Sequence, residues 1–279
     1  MLEENKTANE YIEIQLLLEA IYRKYGYDFR EYSVAHTRRR LEYRRAREGM
    51  TNYSAMQHKV LHEPAFFEQL LLDLSINVTE MFRDPWFYQK VREMVFPHLQ
   101  TYPFVKVWHA GCSAGQEVYS MAIMLEEALM QERTQLYATD FNEVILERAK
   151  DGIYPIDVVR QYTNNYQAAN GSTSFSEYYT ADYDSVIMKS RLKEKILFSP
   201  HNLATDGVFG EMHLIFCRNV LIYFNRELQN RVFELFYESL VPGGFLCLGS
   251  KESLRFSNVA SKFELISEKE KIYRKKRGR

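Results

Sequence analysis

A carboxylate at the tip of an apolar run, reached through a glycine-bearing loop, is the arrangement in this chain best suited to hold a small molecule. The segment Val105–Leu125 reads VKVWHAGCSAGQEVYSMAIML, and the YATD that follows ends on Asp140. One apolar run breaks at Gly111 and Gly115, a helix-patterned segment comes next, and a second apolar run closes on the acid. Strand, glycine turn, helix, strand and carboxylate in that order build a nucleoside pocket in doubly wound α/β sheets. The glycines let backbone approach a ligand with no Cβ in the way. A carboxylate at Asp140 can accept both hydroxyls of a ribose diol; its competing role is an N-cap for the next helix.

The loop also narrows the ligand. The dinucleotide pattern G-x-G-x-x-G is absent, and no Lys follows the second glycine as a Walker loop requires. Glu117 falls in the first helical turn, where a pyrophosphate binder avoids negative charge. An acid there suits an ammonium or a sulfonium, and S-adenosylmethionine carries both. The other reading of Glu117 is a solvent-facing residue of an ordinary α/β connection.

Composition is that of a soluble globular protein: 279 residues, 46% hydrophobic and 26% charged, with a formal net charge of −1. The length suits one large domain or two modest ones. No global field draws such a chain to nucleic acid or a membrane surface. Cys112, Cys217 and Cys247 lie far apart beside apolar runs, with no CxxC spacing, so they are expected to be reduced core residues rather than zinc ligands or a disulfide framework. No signal-peptide pattern precedes the first helical segment and no apolar run is long enough to span a bilayer, so a cytoplasmic protein is expected.

These residues need elements to position them. Helical spacing of Ile14, Leu17, Leu18, Ile21 and Tyr25 before Gly26 predicts a first helix. Further helices are expected at about Val34–Arg47, near Tyr53–Val60, and from Pro64 through Leu71, giving a helical domain over residues 1–75. A linker, SINVTEMFRDP, leads to a helix placed before Pro97. Strands at Val105–Ala110, Leu136–Thr139, Ile196–Ser199, His213–Cys217 and Phe245–Gly249 then alternate with helices at Tyr119–Met130, Asn142–Asp151 and Arg226–Leu240. This alternation over residues 76–279 predicts an α/β domain with a mainly parallel sheet, closed by a terminal antiparallel pair. A Tyr-, Asn- and Ser-rich stretch, about residues 155–195, is too long for a plain connection. It reads as an inserted subdomain, helical early and hairpin-like around Tyr178–Phe198.

Several motifs taken together resemble the CheR-type chemoreceptor glutamate methyltransferases over nearly the whole chain. They are SINVTEMFRD, HAGCSAGQEVYS, ATDFNEVILERAKDGIYP, the NL of PHNLA, and FCRNVLIYF with VPGGFLCLGS behind it. The resemblance implies a Rossmann-like class I methyltransferase sheet with an N-terminal helical domain and a small inserted β-subdomain. It also implies S-adenosylmethionine as cofactor and S-adenosylhomocysteine as product. Matched residue by residue, Asn77, Thr79 and Arg83 are linker residues that close over the cofactor, and Gly111 belongs to its loop. Glu117 falls near the methionine amino group, Asp140 on the ribose, Asn202 and Leu203 beside the adenine, and Arg218 with Asn219 at the end of the fourth strand. Tyr223 matches the aromatic beside the transferring methyl. Read without the resemblance, Arg83 can pair with Asp84 or Glu80, Asn77 and Thr79 can be turn residues, and Tyr223 can be core.

Three departures accompany the match. The loop reads GQEV where the family usually has two acids and a proline, and GSKE stands in place of GHSE at Gly249–Glu252. Thr180–Ser185 lacks the glycine some members use to grip a receptor-tail peptide.

A glutamate acceptor with a pKa near ~4.3 is anionic at neutral pH, so methyl transfer to it needs no general base. The task is alignment, with oxygen brought to about 3–3.5 Å of the methyl, and Arg83 and Tyr223 are the candidates for it. The second helix, RRRLEYRRAR, carries Arg38, Arg40, Arg44 and Arg47 among six arginines, with Arg40, Arg44 and Arg47 on one face. In the resembling family this helix meets the receptor's acidic helical methylation segment; a solvated face is the alternative. Two further functions stay open at this point: a nucleic-acid methyltransferase, for which the (D/N/S)PP(Y/F/W) motif is missing, and a non-catalytic S-adenosylmethionine-binding module.

Overall fold

The computed structural model describes residues 2–75 and 79–278, with side chains described from Ala8 onward. The chain forms two compact units, one comprising residues up to 76 with residues 223–229, the other residues 77–222 with 230–279.

The first unit is helical: α1 (Leu2–Tyr25), α2 (Val34–Arg47), α3 (Tyr53–His62) and α4 (Pro64–Leu74). Leu17, Ile21, Leu41, Met56, Val60 and Leu70 are fully buried between them. Gly26, at φ +79, ends α1 in the left-handed conformation that glycine adopts without penalty. Asn52 caps α3 by accepting the Ala55 N–H at 2.9 Å.

The second unit opens with α5 (Pro85–Lys90), a π-helical turn over Val91–Val95 and α6 (Phe96–Leu99). The helical path therefore runs through Pro97 instead of stopping before it. Pro97 has no N–H to give to the preceding turn, and the wider turn absorbs that loss. Then follow β1 (Val105–Ala110), α7 (Gln116–Glu127), β2 (Thr134–Asp140) and α8 (Glu143–Asp151). The insertion carries β3 (Ile153–Pro155), α9 (Val159–Ala168), β4 (Tyr179–Asp182), β5 (Ser185–Met188) and α10 (Ser190–Lys193). The chain returns through β6 (Ile196–Pro200), β7 (Met212–Cys217), α11 (Arg226–Ser239), β8 (Leu240–Leu248), β9 (Phe263–Ser267) and β10 (Ile272–Lys275).

The main sheet has seven strands in the order β6-β2-β1-β7-β8-β10-β9. The first five are mutually parallel and β10 runs antiparallel to both its neighbours. This is the Rossmann-like α/β sheet that the resemblance implies, with a helical N-terminal unit and a small three-stranded insertion, β3-β5-β4. One boundary is corrected. The hairpin ends at Met188, and Ile196–Pro200 pairs with β2 in the main sheet. Short alternating segments look alike at an edge strand and in a hairpin, and only pairing across the sheet separates them. The strand order reverses between β1 and β7, so the loops leaving these two strands bracket a crevice, the usual ligand position in such sheets.

Candidate functional site

The loop after β1 is shaped by three left-handed residues, Gly111 (φ +78), Ser113 (φ +52) and Gly115 (φ +88). Gly111 and Cys112 both donate N–H to the Thr139 carbonyl at 2.8 Å, pinning the loop to β2. A Cβ on Gly111 would fall 2.7 Å from a methyl of Val220, so only glycine lets the loops after β1 and β7 approach this closely.

Asp140 closes β2. One carboxylate oxygen accepts the Ser113 N–H and the other the Asn142 N–H, each at 3.0 Å. Burial pushes this carboxyl above its ordinary range, although the N–H groups of Asn142, Ser113 and Phe141 pull against it. The N-cap of α8 is Asn142, which accepts from Val144 and Ile145. Asp140 is therefore not the cap, and its carboxylate, ringed by N–H donors, closes the end of β2. On β6, Pro200 lies in register with Asp140, and the His201 N–H donates to the Asp140 carbonyl at 3.1 Å. Asn202 and Leu203 follow at once, at the same end of the sheet. Leu203 is buried, and the Asn202 side chain accepts the Ala204 N–H at 3.0 Å.

Arg218, leaving β7, is the centre of a buried charge cluster. Its side chain is 3% exposed, with Nη2 2.8 Å from Asp84 and Nη1 3.3 Å from Glu117. Its guanidinium carbon sits 3.9 Å from the Phe87 ring centroid. The other Glu117 oxygen lies 3.0 Å from His109 Nδ1, and the His109 ring stacks on Phe216. Burial alone would raise the Glu117 carboxyl, but the His109 bond and the Arg218 charge outweigh it and hold the group below its usual range. Arg218 Nη1 also donates to the Arg83 carbonyl at 3.4 Å. Asp84, which the sequence offered as a partner for the Arg83 side chain, is bonded to Arg218. Phe82 and Asp84 flank Arg83 in left-handed conformations, and the Phe82 N–H donates to Ser120 Oγ on α7 at 2.9 Å. Thr79 is half-buried at the start of this segment. Asn77 lies outside the described residues.

Asn219 follows Arg218 with φ +61. Its N–H donates to the buried carboxylate of Glu252 at 3.0 Å. Tyr223 ends the short 3₁₀ turn Leu221–Tyr223 and groups with the helical unit. There its carbonyl accepts the Ser33 N–H at 2.8 Å and its ring lies 4.4 Å from that of His36. It is only half-buried, unlike a core aromatic.

The arginine helix requires a correction. Arg44 is 3% exposed and is held by Asp73 at 2.5 Å, Glu48 at 3.3 Å and the side chain and carbonyl of Gln69. It is an internal tie between α2 and α4, and cannot meet a partner together with Arg40 and Arg47. Arg38 is half-exposed and bonded to Glu10 at 2.9 Å, Arg40 is partly buried, and Arg47 is exposed.

Sequence reasoning missed His109, Asp84 and Glu252. A histidine among the apolar residues of the VKVWHA strand was a usable signal. Glu252 sits 30 or more residues from the N–H groups of Asn219–Ile222 that it binds, and no local pattern marks it.

Comparison with known proteins identifies the family. Residues 77–272 match the CheR methyltransferase, SAM binding domain, and residues 12–75 the CheR methyltransferase, all-alpha domain. A Pseudomonas putida protein named "Putative methyltransferase Cher3" is 52% identical over 96% of this chain and 98% of its own length. The "Chemotaxis protein methyltransferase" of Listeria monocytogenes is 29% identical, covering 83% of this chain and 86% of that protein. The "Chemotaxis protein methyltransferase 1" of Vibrio cholerae is 31% identical over 69% and 70%. The residues present fit S-adenosylmethionine: a close-approach cradle at Gly111, a buried acid closing β2 at Asp140, and an ionised acid at Glu117.

Proposed function

The chain belongs to the CheR methyltransferase family and is an S-adenosylmethionine-dependent methyltransferase; on that premise we propose that it esterifies glutamate side chains in an acidic helical segment of a chemoreceptor or related signalling protein, in the cytoplasm. In this reading Asp140 takes the ribose, Glu117 the methionine ammonium, and Asn202 with Leu203 the adenine. Asn77, Thr79, Arg83, Gly111, Arg218 and Asn219 complete the cofactor's surroundings. The bound cofactor supplies an electrophilic methyl group.

The observation that carries the choice of acceptor is how the acids around the crevice are engaged. Glu117 is bonded to His109 and Arg218, Asp84 to Arg218, and Glu252 to backbone N–H groups. Held this way, none of them is placed to take a proton from an alcohol or amine. His109 is wholly buried against Phe216 and Glu117. Such a site suits an acceptor already ionised at neutral pH, as a glutamate is, with a pKa near ~4.3. Arg83 and Tyr223 then orient the arriving carboxylate, and the exposed Arg47, with Arg40, supplies positive potential for an acidic helix. Nucleic acid is the weaker partner, because Arg44 is withdrawn into the interior and Arg38 is neutralised by Glu10. Among the described residues no helix is long and apolar enough to cross a membrane, so contact with a membrane receptor would be through the receptor's own cytoplasmic part.

The test is incubation with labelled cofactor and receptor cytoplasmic fragments. Label released by alkali as methanol is expected. Alkali-stable label on protein, or label on RNA or DNA, would overturn the glutamate reading.

A further inference from the structure

Glu252 has no part in the reading above beyond being engaged, yet its side chain is the focus of an entire loop. It is 4% exposed. One carboxylate oxygen accepts the N–H groups of Val220 at 2.9 Å, Leu221 at 2.7 Å and Ile222 at 3.3 Å. The other accepts those of Asn219 at 3.0 Å and Gly249 at 2.6 Å. Consecutive amides aimed at one anion form a closed nest, and the anion here is the protein's own.

That loop has reason to need an anchor. Asn219 is left-handed at φ +61, a conformation that a non-glycine residue keeps only when its surroundings enforce it. Gly249 makes the enforcement possible. A Cβ there would lie 2.8 Å from both the Asn219 nitrogen and a Glu252 oxygen, so only glycine lets the end of β8 come this close. Val220, in the middle of the loop, is the residue that covers Gly111 of the cofactor loop. The loop begins at Arg218 and Asn219 and passes directly into Tyr223. One carboxylate therefore governs the backbone that follows the residues assigned to the cofactor.

We propose that Glu252 is a positioning residue for methyl transfer, its charge clamping the Asn219–Ile222 backbone so that Asn219 faces the cofactor. The inference rests on the functional reading above for what Asn219 does. The clamp itself rests only on the hydrogen bonds. A glutamine of the same shape would not replace it, because its NH₂ group would face N–H donors and leave two or more of them without an acceptor. The shorter aspartate keeps the acceptor pair and loses only reach.

Hydrogen exchange and cofactor calorimetry separate the possibilities. In the unliganded wild-type protein the Asn219–Ile222 amides, although outside the sheet, are expected to exchange slowly; rapid exchange there overturns the clamp without any variant. In Glu252→Gln, exchange of these amides should rise and affinity for S-adenosylhomocysteine should fall, each by about tenfold or more, the loss of roughly one hydrogen bond's net worth. Glu252→Asp should be the milder of the two. If Glu252 merely filled space, the isosteric Gln would be mild and Asp severe, and that order overturns the proposal. A wild-type protein that fails to bind S-adenosylhomocysteine would count against the functional reading, while the exchange data would still decide the clamp.

Discussion

Replacing Arg218 with methionine removes the one cation shared by Glu117 and Asp84 and keeps most of the apolar stem over Phe87. The Arg218 side chain is 3% exposed, Glu117 18% and Asp84 26%. Removing one partner of a buried pair costs about 3–5 kcal/mol, since the remaining charge stays behind without compensation. Asp84 can rehydrate and Glu117 keeps its His109 bond, so the lower end applies, about 3 kcal/mol. In a unit of roughly 150–250 residues each kcal/mol moves the melting temperature by about 2–4 °C, giving an expected drop of about 6–12 °C. Trp86 and Trp108 are the only tryptophans and both belong to the α/β unit, so their fluorescence reports its unfolding and not that of the helical unit. The sharper expectation concerns the double variant. With Arg218 gone, Glu117→Gln removes the stranded charge, so it should raise stability by about 1–2 kcal/mol, whereas the same change in the wild-type background should lower it. Additive losses in the two backgrounds, or an Arg218→Met protein melting within 1 °C of wild type (an order-of-magnitude bound), would refute the account of this cluster.

Other outcomes follow from the same geometry. Because Glu117 titrates lower in the folded protein than in the unfolded chain, its contribution is present at neutral pH and lost as pH falls below the ordinary carboxylate range, near ~4.3, through its folded value. The stability difference between wild type and Glu117→Gln should therefore shrink over that acid window in denaturant titrations; a difference that stays level down to about pH 3 would contradict it. Arg83→Ala should reduce methyl-ester formation by about 10²–10³-fold, and full label transfer in that variant would remove Arg83 from the mechanism. Asp140→Asn should weaken binding of S-adenosylhomocysteine by about tenfold or more in calorimetry, as an acceptor for the ribose is replaced by a donor. Arg44→Met should destabilise the helical unit by about 3 kcal/mol. Arg47→Ala should leave stability within about 0.5 kcal/mol while slowing receptor methylation most at low salt, and a salt-independent effect would argue against an electrostatic role.

The sequence by itself determined the elements and their order, because strand and helix periods are local properties of the chain. Val34–Arg47 was legible as a helix, Val105–Ala110 as a strand, and Asp140 as a carboxylate at a strand's end, since each needs only its own neighbours. Arg218 and Asn219 were visible for the same reason, as a polar pair interrupting an apolar run where the sheet meets its crevice. Tertiary structure alone decided the partners. Whether Arg44 faces water or the interior depends on Asp73 and Gln69 of another helix, and the helical wheel of α2 is silent about them. The choice of Asn142 over Asp140 as the cap depends on backbone torsions that the residue types do not distinguish. The neighbours of Arg218 come from two other stretches of chain, one holding Asp84 and Phe87 and the other Glu117, and the N–H groups gathered by Glu252 begin 33 residues before it at Asn219. A buried charge is tolerated only where distant donors converge on it, and convergence of that kind is a property of the folded sheet that no local pattern in the chain encodes.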